Sequence, residues 1–329
     1  MTVTIPRKVG PHPGLAICRE HTAPPAPGAF AAIGNFDGVH LGHQRLLEIV
    51  RDEAGRYGQP TAVLTFEPHP RDVFRPDDPA FRLTSEAVKL KLLAAFGVDI
   101  AFVRRFDAAF AATTASDFVG RLLADEMRLS GIVVGEDFHF GRGRVGDSVF
   151  LRQHGEACGL RVRIEAALEQ DGAPVSSTRI RRALETGDVA VANRLLGYRW
   201  FVEGEVVHGE KRGRTLGYPT ANVRLPASCR LAHGIYAVRA ALGDGPIVAG
   251  VASFGRRPTF DNGAPLLETF LFDYAGDLYG RRIEVEFLGW IRGEERFASA
   301  EALVGQMDRD TNAARRMAAG GDGRLSLIG

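Results

Sequence analysis

Residues 34–43 read Gly-Asn-Phe-Asp-Gly-Val-His-Leu-Gly-His, two histidines three apart in a glycine-rich stretch. Glycines at 34, 38 and 42 permit tight turning and let backbone N–H groups approach a ligand closely. The apolar run Phe30–Ile33 ahead of them predicts a short buried strand. Behind them, from Gln44 to Tyr57, Leu46, Val50, Ala54 and Tyr57 fall near helical spacing, which predicts a helix whose first turn carries the two histidines. A helix N-terminus directs orphan N–H groups and the positive end of its dipole outward, and so favours an anion. His40 and His43 would share the face of that anion, an arrangement suited to phosphate. A zinc site would need a third ligand, and none of suitable spacing lies nearby.

Two further stretches carry chemistry. In Val175-Ser-Ser-Thr-Arg-Ile-Arg-Arg-Ala-Leu184, Ser176 or Ser177 is placed to cap a helix ended by Gly187. Hydroxyls with Arg179 and Arg181 at a positive helix end would form a second anion seat; the alternative is a helix start with solvated arginines. Residues 209–222, Gly-Glu-Lys-Arg-Gly-Arg-Thr-Leu-Gly-Tyr-Pro-Thr-Ala-Asn, offer flexible glycines and the cations Lys211, Arg212 and Arg214 for phosphates. Thr220 and Asn222 then place short neutral oxygens on one face of an extended segment, of the kind that coordinates Mg²⁺.

The elements that must position these groups divide in two. After an irregular, proline-rich lead-in through residue 28, strands are predicted at Phe30–Ile33, Thr61–Phe66, Val98–Val103, Ile132–Val134 and Val162–Ile164. Helices between them run through Phe96 from a Thr84 or Ser85 cap, from Ser116 to Met127 with Ser116 as cap, and from Ser148 behind Asp147. Such alternation argues for a parallel sheet covered by helices, with ligands at the carboxyl ends of its strands. The opening motif, Glu67–Pro70 and the loop 135–147 would lie at that edge. After the helix Val189–Leu196 the apolar period changes to two, at 201–206, 235–241, 267–272 and 283–287, which predicts a small antiparallel barrel. One amphipathic helix behind Ser299 follows. The expected domains are 1–187 and 188–329.

The opening ten residues resemble the His-x-Gly-His signature of the nucleotidyltransferase superfamily. The stretch Gly-Arg-x-Leu-Gly-x-Pro-Thr-Ala-Asn resembles the signature of riboflavin kinases. Downstream, Gly234–Val238, Arg257-Pro-Thr-Phe260, Leu267-Glu-Thr-Phe270, Tyr279-Gly280 and Ile291-Arg292 follow the order of the kinases. Together the two halves resemble the bifunctional bacterial FAD synthetases. The resemblance implies an α/β fold: a Rossmann-like nucleotidyltransferase sheet domain followed by a six-stranded β-barrel kinase domain with a C-terminal helix. It implies ATP-dependent phosphorylation of riboflavin to FMN, then adenylylation of FMN to FAD, both with Mg²⁺.

In the first half it assigns ATP and phosphate contacts to Gly34, Phe36, Asp37, Gly38, His40, His43, Ser177, Thr178 and Arg181. Asp137 and Phe138 would contact FMN. In the barrel it assigns phosphates to Gly209, Lys211, Gly213, Arg214 and Gly217, and metal and phosphate positioning to Thr220 and Asn222. Glu268 would be the base and Arg292 would shape the flavin end. Arg256 stands where the family more often has a small or hydroxylic residue.

Composition bounds the rest. The 329 residues make about two domains, and 45 % hydrophobic with 25 % charged residues is ordinary for a globular chain. A net charge of +1 gives no support for a nucleic-acid or anionic-membrane partner, so small-molecule substrates are expected and oligomeric state is left open. Cys18, Cys158 and Cys229 lack metal-like spacing and fit a reducing compartment. Met1–Thr22 has no apolar core of signal-peptide length, and a cytoplasmic protein is expected.

Overall fold

The structure, a computed structural model, describes residues 14–20, 22, 24–209, 217–243, 245–256, 265–320 and 323–329. The chain forms two compact units. One holds the residues through Ala80 and Thr84–Ser176; the other holds Phe81–Leu83 and Ser177–Gly329.

The first unit is built on six strands: β1 (Ala16–Cys18), β2 (Phe30–Ile33), β3 (Thr61–Glu67), β4 (Ile100–Arg105), β5 (Gly131–Gly135) and β6 (Arg161–Glu165). All pair in parallel, in the order β1-β4-β3-β2-β5-β6. The inner strands are apolar almost throughout because both sheet faces are covered, as parallel sheets require. Ala31, Ile33, Leu64, Phe102, Ile132 and Val134 carry one side of that core. Strand order reverses at β2, with β3 on one side and β5 on the other. Such a switch point opens a crevice beyond the strand's carboxyl end, where the turn 34–43 lies.

Helices α1 (Leu41–Tyr57), α2 (Pro70–Phe74), α3 (Glu86–Ala95), α4 (Ala108–Ala111), α5 (Ala115–Asp117) and α6 (Ser148–Ala157) complete the unit, with a small hairpin, β7 (Glu169–Gln170) and β8 (Ala173–Pro174). Two expectations are corrected. The lead-in expected to be irregular holds β1, which pairs in parallel with β4, while α1 starts at Leu41 behind its His40 cap with His43 in the first turn, as expected. The helix expected from Ser116 starts at Ala115, because the Thr114 hydroxyl accepts from Asp117 N at 3.0 Å and so caps it first. It then runs on as a π-helix over Phe118–Glu126, with Met127 N donating to Leu122 O at 3.0 Å.

The second unit opens with α7 (Ser177–Glu185) and α8 (Val189–Leu196). Its barrel is closed, in the order β10-β13-β12-β11-β14-β9. The strands are β9 (Phe201–Val207), β10 (Thr220–Arg224), β11 (Gly234–Ala241), β12 (Ile247–Arg256), β13 (Pro265–Leu271) and β14 (Arg282–Gly293), and every pair is antiparallel. Closure leaves no unpaired edge. Helix α9 (Ala300–Ala319) lays Ala314 on Ala237 and Phe272. α8 is tied in through Asn193, whose Nδ2 donates to Phe287 O at 2.9 Å while its Oδ1 accepts from Trp200 N at 2.8 Å. Trp200 stacks on Phe287 and donates its indole N–H to Leu83 O at 2.9 Å, which explains why the segment 81–83 belongs to this unit.

Candidate functional site

In the first unit the turn after β2 is held from below. Phe36 is fully buried at φ +51°, and Gly38 turns at φ +82°. The Asp37 carboxylate is buried and accepts from Thr84 N at 3.1 Å and from the Thr84 hydroxyl at 3.3 Å; that hydroxyl accepts from Gly38 N at 3.2 Å. Gly34 closes the end of β2, its N–H donating to Leu64 O.

His40 and His43 come together, their rings stacked with centroids 3.7 Å apart. His40 Nδ1 accepts from His43 N at 3.3 Å, so a neutral His40 carries its proton on Nε2. Two stacked imidazolium ions would repel by ~4 kcal/mol at the effective dielectric of a protein surface. Burial, then His40, then Lys89 hold the His43 pKa well below the usual histidine value, so His43 is neutral at physiological pH. Its Nδ1 is buried without a hydrogen-bond partner. The pair therefore offers neutral N–H donors beside the start of α1.

Lys89 was missed in the sequence. It is 1 % exposed on α3, and its ammonium reaches Glu67 Oε1 at 2.6 Å, Thr65 Oγ1 at 3.1 Å and Asn35 O at 3.3 Å. A signal was present: Lys89 shares the stripe of the apolar residues Val88, Leu92 and Leu93, where a lysine is out of place.

Loop 135–147 carries Asp137, exposed, and Phe138, half-buried and stacked on Phe140 at 5.4 Å. Ser177 and Thr178 open α7 in the second unit. There Arg181 lies one turn on, with its Nε donating to Phe81 O at 2.6 Å.

In the barrel, Asn222 on β10 pairs directly with Glu268 on β13, and Thr220 with Phe270. Residues two apart on a strand, and those opposite them, share a face, so Thr220, Asn222 and Glu268 form one polar patch. Asn222 is 5 % exposed, and a Cβ at Gly209 would meet its Nδ2 at 2.5 Å, so this position needs glycine to let the chain pass. Gly217 turns at φ +83°. Lys211, Gly213, Arg214 and the segment Arg257–Phe260 lie outside the described residues, as does the side chain of Arg256.

A cavity of about 660 Å³ opens between the barrel and α9, lined by Thr220, Glu268, Phe270, Arg292, Phe297 and Met307. A second, of about 600 Å³, is lined by Thr220, Ala221, Thr269, Tyr274 and Tyr279. Thr220 lines both. Arg292 is fixed by Asp310 on α9, with Nε at 3.0 Å from Oδ1 and Nη2 at 2.7 Å from Oδ2. The Tyr218 hydroxyl bonds Asp308; burial and that carboxylate push its pKa up to about 12.

A glycine-containing turn with a stacked histidine pair at the switch point of a parallel sheet, and downstream a closed barrel in which Thr220 lines two cavities and Glu268 one of them, define a nucleotidyltransferase-type domain and a flavokinase-type barrel in one chain. The FAD synthetase family model matches residues 23–179, and the riboflavin kinase model matches residues 196–318. The chain is 42 % identical over 292 residues to the bifunctional riboflavin kinase/FMN adenylyltransferase of Escherichia coli (strain K12), covering 88 % of this chain and 93 % of that one. Its identity to the protein so named from Pseudomonas fluorescens is 43 % over 293 residues, covering 89 % and 94 %. A crystal structure from Streptococcus pneumoniae, described as a macrolide-efflux protein, superposes with a TM-score of 0.83 at 31 % identity, covering 92 % of this chain and 99 % of that one. The chain belongs to the family of bifunctional riboflavin kinase/FMN adenylyltransferases. Among the described residues no helix is long and apolar enough to cross a membrane.

Proposed function

We propose that the barrel half, residues 188–329, converts riboflavin and ATP to FMN and ADP. The sheet half, residues 1–187, then converts FMN and ATP to FAD and pyrophosphate. The observation that carries the kinase assignment is the position of Thr220 between two cavities, with Glu268 on the wall of one. A phosphoryl acceptor in the first and a nucleotide in the second would meet at that residue.

In the barrel, Glu268 accepts the proton of the ribityl terminal hydroxyl as its oxygen attacks the γ-phosphorus, and ADP leaves. Arg292, locked by Asp310, bounds the flavin end. Gly209, Lys211, Gly213, Arg214 and Gly217 supply the phosphate loop. Mg²⁺ fits the donor set: Thr220 and Asn222 present hard neutral oxygens on one strand face, opposite a carboxylate, and would hold a cation that also keeps phosphate and water ligands. Its chemistry there would be neutralisation of charge on the transferred phosphoryl group.

In the sheet half, FMN's own phosphate oxygen attacks the α-phosphorus of ATP and the bond to pyrophosphate breaks, so no base is needed. His40 and His43 donate to the α-phosphoryl oxygens as charge develops. Ser177, Thr178 and Arg181 hold the leaving pyrophosphate, and Asp137 and Phe138 flank FMN. Gly34, Phe36 and Gly38 shape the turn. Asp37 belongs to the same ATP site and braces the turn through Thr84. A cytoplasmic setting belongs to the same reading, supported by a sparse count of three cysteines, Cys18, Cys158 and Cys229, scattered along the sequence.

Incubation of pure protein with riboflavin, ATP and Mg²⁺, followed by chromatography of the flavins, tests the whole reading. FMN followed by FAD is expected. FMN alone removes the adenylyltransferase half, and unchanged riboflavin removes the kinase half.

A further inference from the structure

We propose that Lys89, buried beneath the turn that carries His40 and His43, is a positioning residue for adenylyl transfer. Its ammonium clamps the Asn35 carbonyl to the ends of β3, so that the turn and its stacked histidines are set before substrate arrives.

The geometry is specific. Asn35 is the second residue of the turn, and its carbonyl oxygen receives two donors, Lys89 Nζ at 3.3 Å and the Thr65 hydroxyl at 3.1 Å. The same ammonium reaches Thr65 Oγ1 at 3.1 Å and Glu67 at 2.6 Å, so one cation joins α3, β3 and the turn. A lysine 1 % exposed is costly to bury, and the Glu67 carboxylate offsets that cost. A purely structural post could have been a leucine. Among the described residues, His40 and Lys89 on α3 act on His43, while Asp37 lies on the turn and Glu67 on β3 pairs with Lys89. Asp37 is engaged by Thr84, and the Lys89 ammonium acts on the pair as a cation, after the larger effects of burial and His40. It holds the His43 pKa down together with burial and His40. A neutral pair donates hydrogen bonds without the mutual repulsion of two imidazolium rings.

This inference rests on the adenylyltransferase reading of the turn, and one of its measurements does not use activity. In Lys89→Met, the His43 imidazole followed by nitrogen-detected NMR titration is expected to take up its proton at higher pH than in the parent. FAD formation from supplied FMN is expected to fall 10- to 100-fold in kcat, with its acid limb shifted the same way. FMN formation from riboflavin in the same preparation is the internal reference. Should Lys89→Met leave Glu67 stranded and fail to fold, Lys89→Met with Glu67→Gln removes both charges, and the same two shifts are expected. A folded variant whose His43 titration and FAD-forming kcat both match the parent overturns the proposal. A shifted titration in a protein whose parent forms no FAD would retain the role of Lys89 at the pair and defeat the activity assigned to the turn.

Discussion

The two proposed phosphate seats of this chain are built by opposite means. The turn 34–43 is irregular backbone held by buried polar groups from elsewhere in the sequence: Thr84, Thr65, Glu67 and Lys89 all reach under it. The Thr220–Asn222–Glu268 patch needs no such support, because the register of three neighbouring strands places it. Glu268 lies between Asn222 on one side and Ser253 on the other, fixed by the ladder itself. The first seat is therefore sensitive to distant substitutions and to pH. The second is sensitive mainly to its own side chains.

The largest test of that contrast is Glu268→Gln, which keeps shape and register but removes the base. Riboflavin phosphorylation should fall about 100- to 10,000-fold, the usual reach of positioned acid–base catalysis. Conversion of supplied FMN to FAD by the same sample should stay near the parent rate. Kinase turnover within a few-fold of the parent would take Glu268 out of its role.

His43→Ala is the counterpart in the sheet half. Loss of one preorganised donor to a developing oxyanion costs roughly 100- to 1,000-fold in kcat, or ~3–4 kcal/mol of barrier. FAD formation should drop by that factor while FMN formation holds. Equal loss of both activities in a folded variant would break the division of labour between the units.

How much of each seat was legible in the sequence follows from how each is built. The barrel's period-two pattern and the two-residue spacing of Thr220 and Asn222 are local, so fold and patch could be read directly. The pairing of Asn222 with Glu268 is not local; only the resemblance to riboflavin kinases pointed to that glutamate. In the sheet half the strands and most helices were legible from apolar runs and caps. The cap of α1 was not, because the acceptor is an imidazole, outside the usual Ser, Thr, Asp and Asn set. The start of α5 was misplaced because two hydroxyls, Thr114 and Ser116, competed for one cap, and the earlier one also binds the Asp117 carboxylate. For Lys89 the apolar stripe of α3 was a signal, but its partners Asn35, Thr65 and Glu67 are distant in the chain and could not be read from it.

The second comparison concerns where the barrel half begins. Our proposed boundary between activities follows Gly187, whereas α7 packs with the second unit. Ala232 N donates to Leu184 O at 3.0 Å, and a Cβ at Gly187 would meet the Trp290 ring at 2.5 Å. A fragment from Asp188 should phosphorylate riboflavin, since every proposed kinase residue lies within it. A fragment from Ser177 should do so too and be more stable by about 2–5 kcal/mol, the cost of removing a buried leucine such as Leu184 from its site. Denaturant unfolding of both fragments measures the difference. An inactive but cooperatively folded 177–329 fragment would mean that the first unit completes the kinase site.

The smallest effect expected is a pH dependence confined to the sheet half. His43 has its pKa lowered in the folded chain, mainly by burial, so below the ordinary histidine value of 6.5 the unfolded chain binds a proton that the folded chain does not. Stability then rises with pH through that range, and falls on acidification by at most ~1.4 kcal/mol per pH unit for this one group. The loss starts near pH 6.5 and continues downward until the folded pKa is reached. No such contribution arises above pH 7, where both states are neutral at this site. Urea unfolding of the parent and of His43→Ala at pH 7.5, 6.5 and 5.5 should show a gap between the two proteins that narrows toward acid, because the alanine variant no longer has this group to protonate. Parallel pH profiles would mean that His43 titrates normally in the folded chain, and the neutral-donor picture of the histidine pair would have to be abandoned.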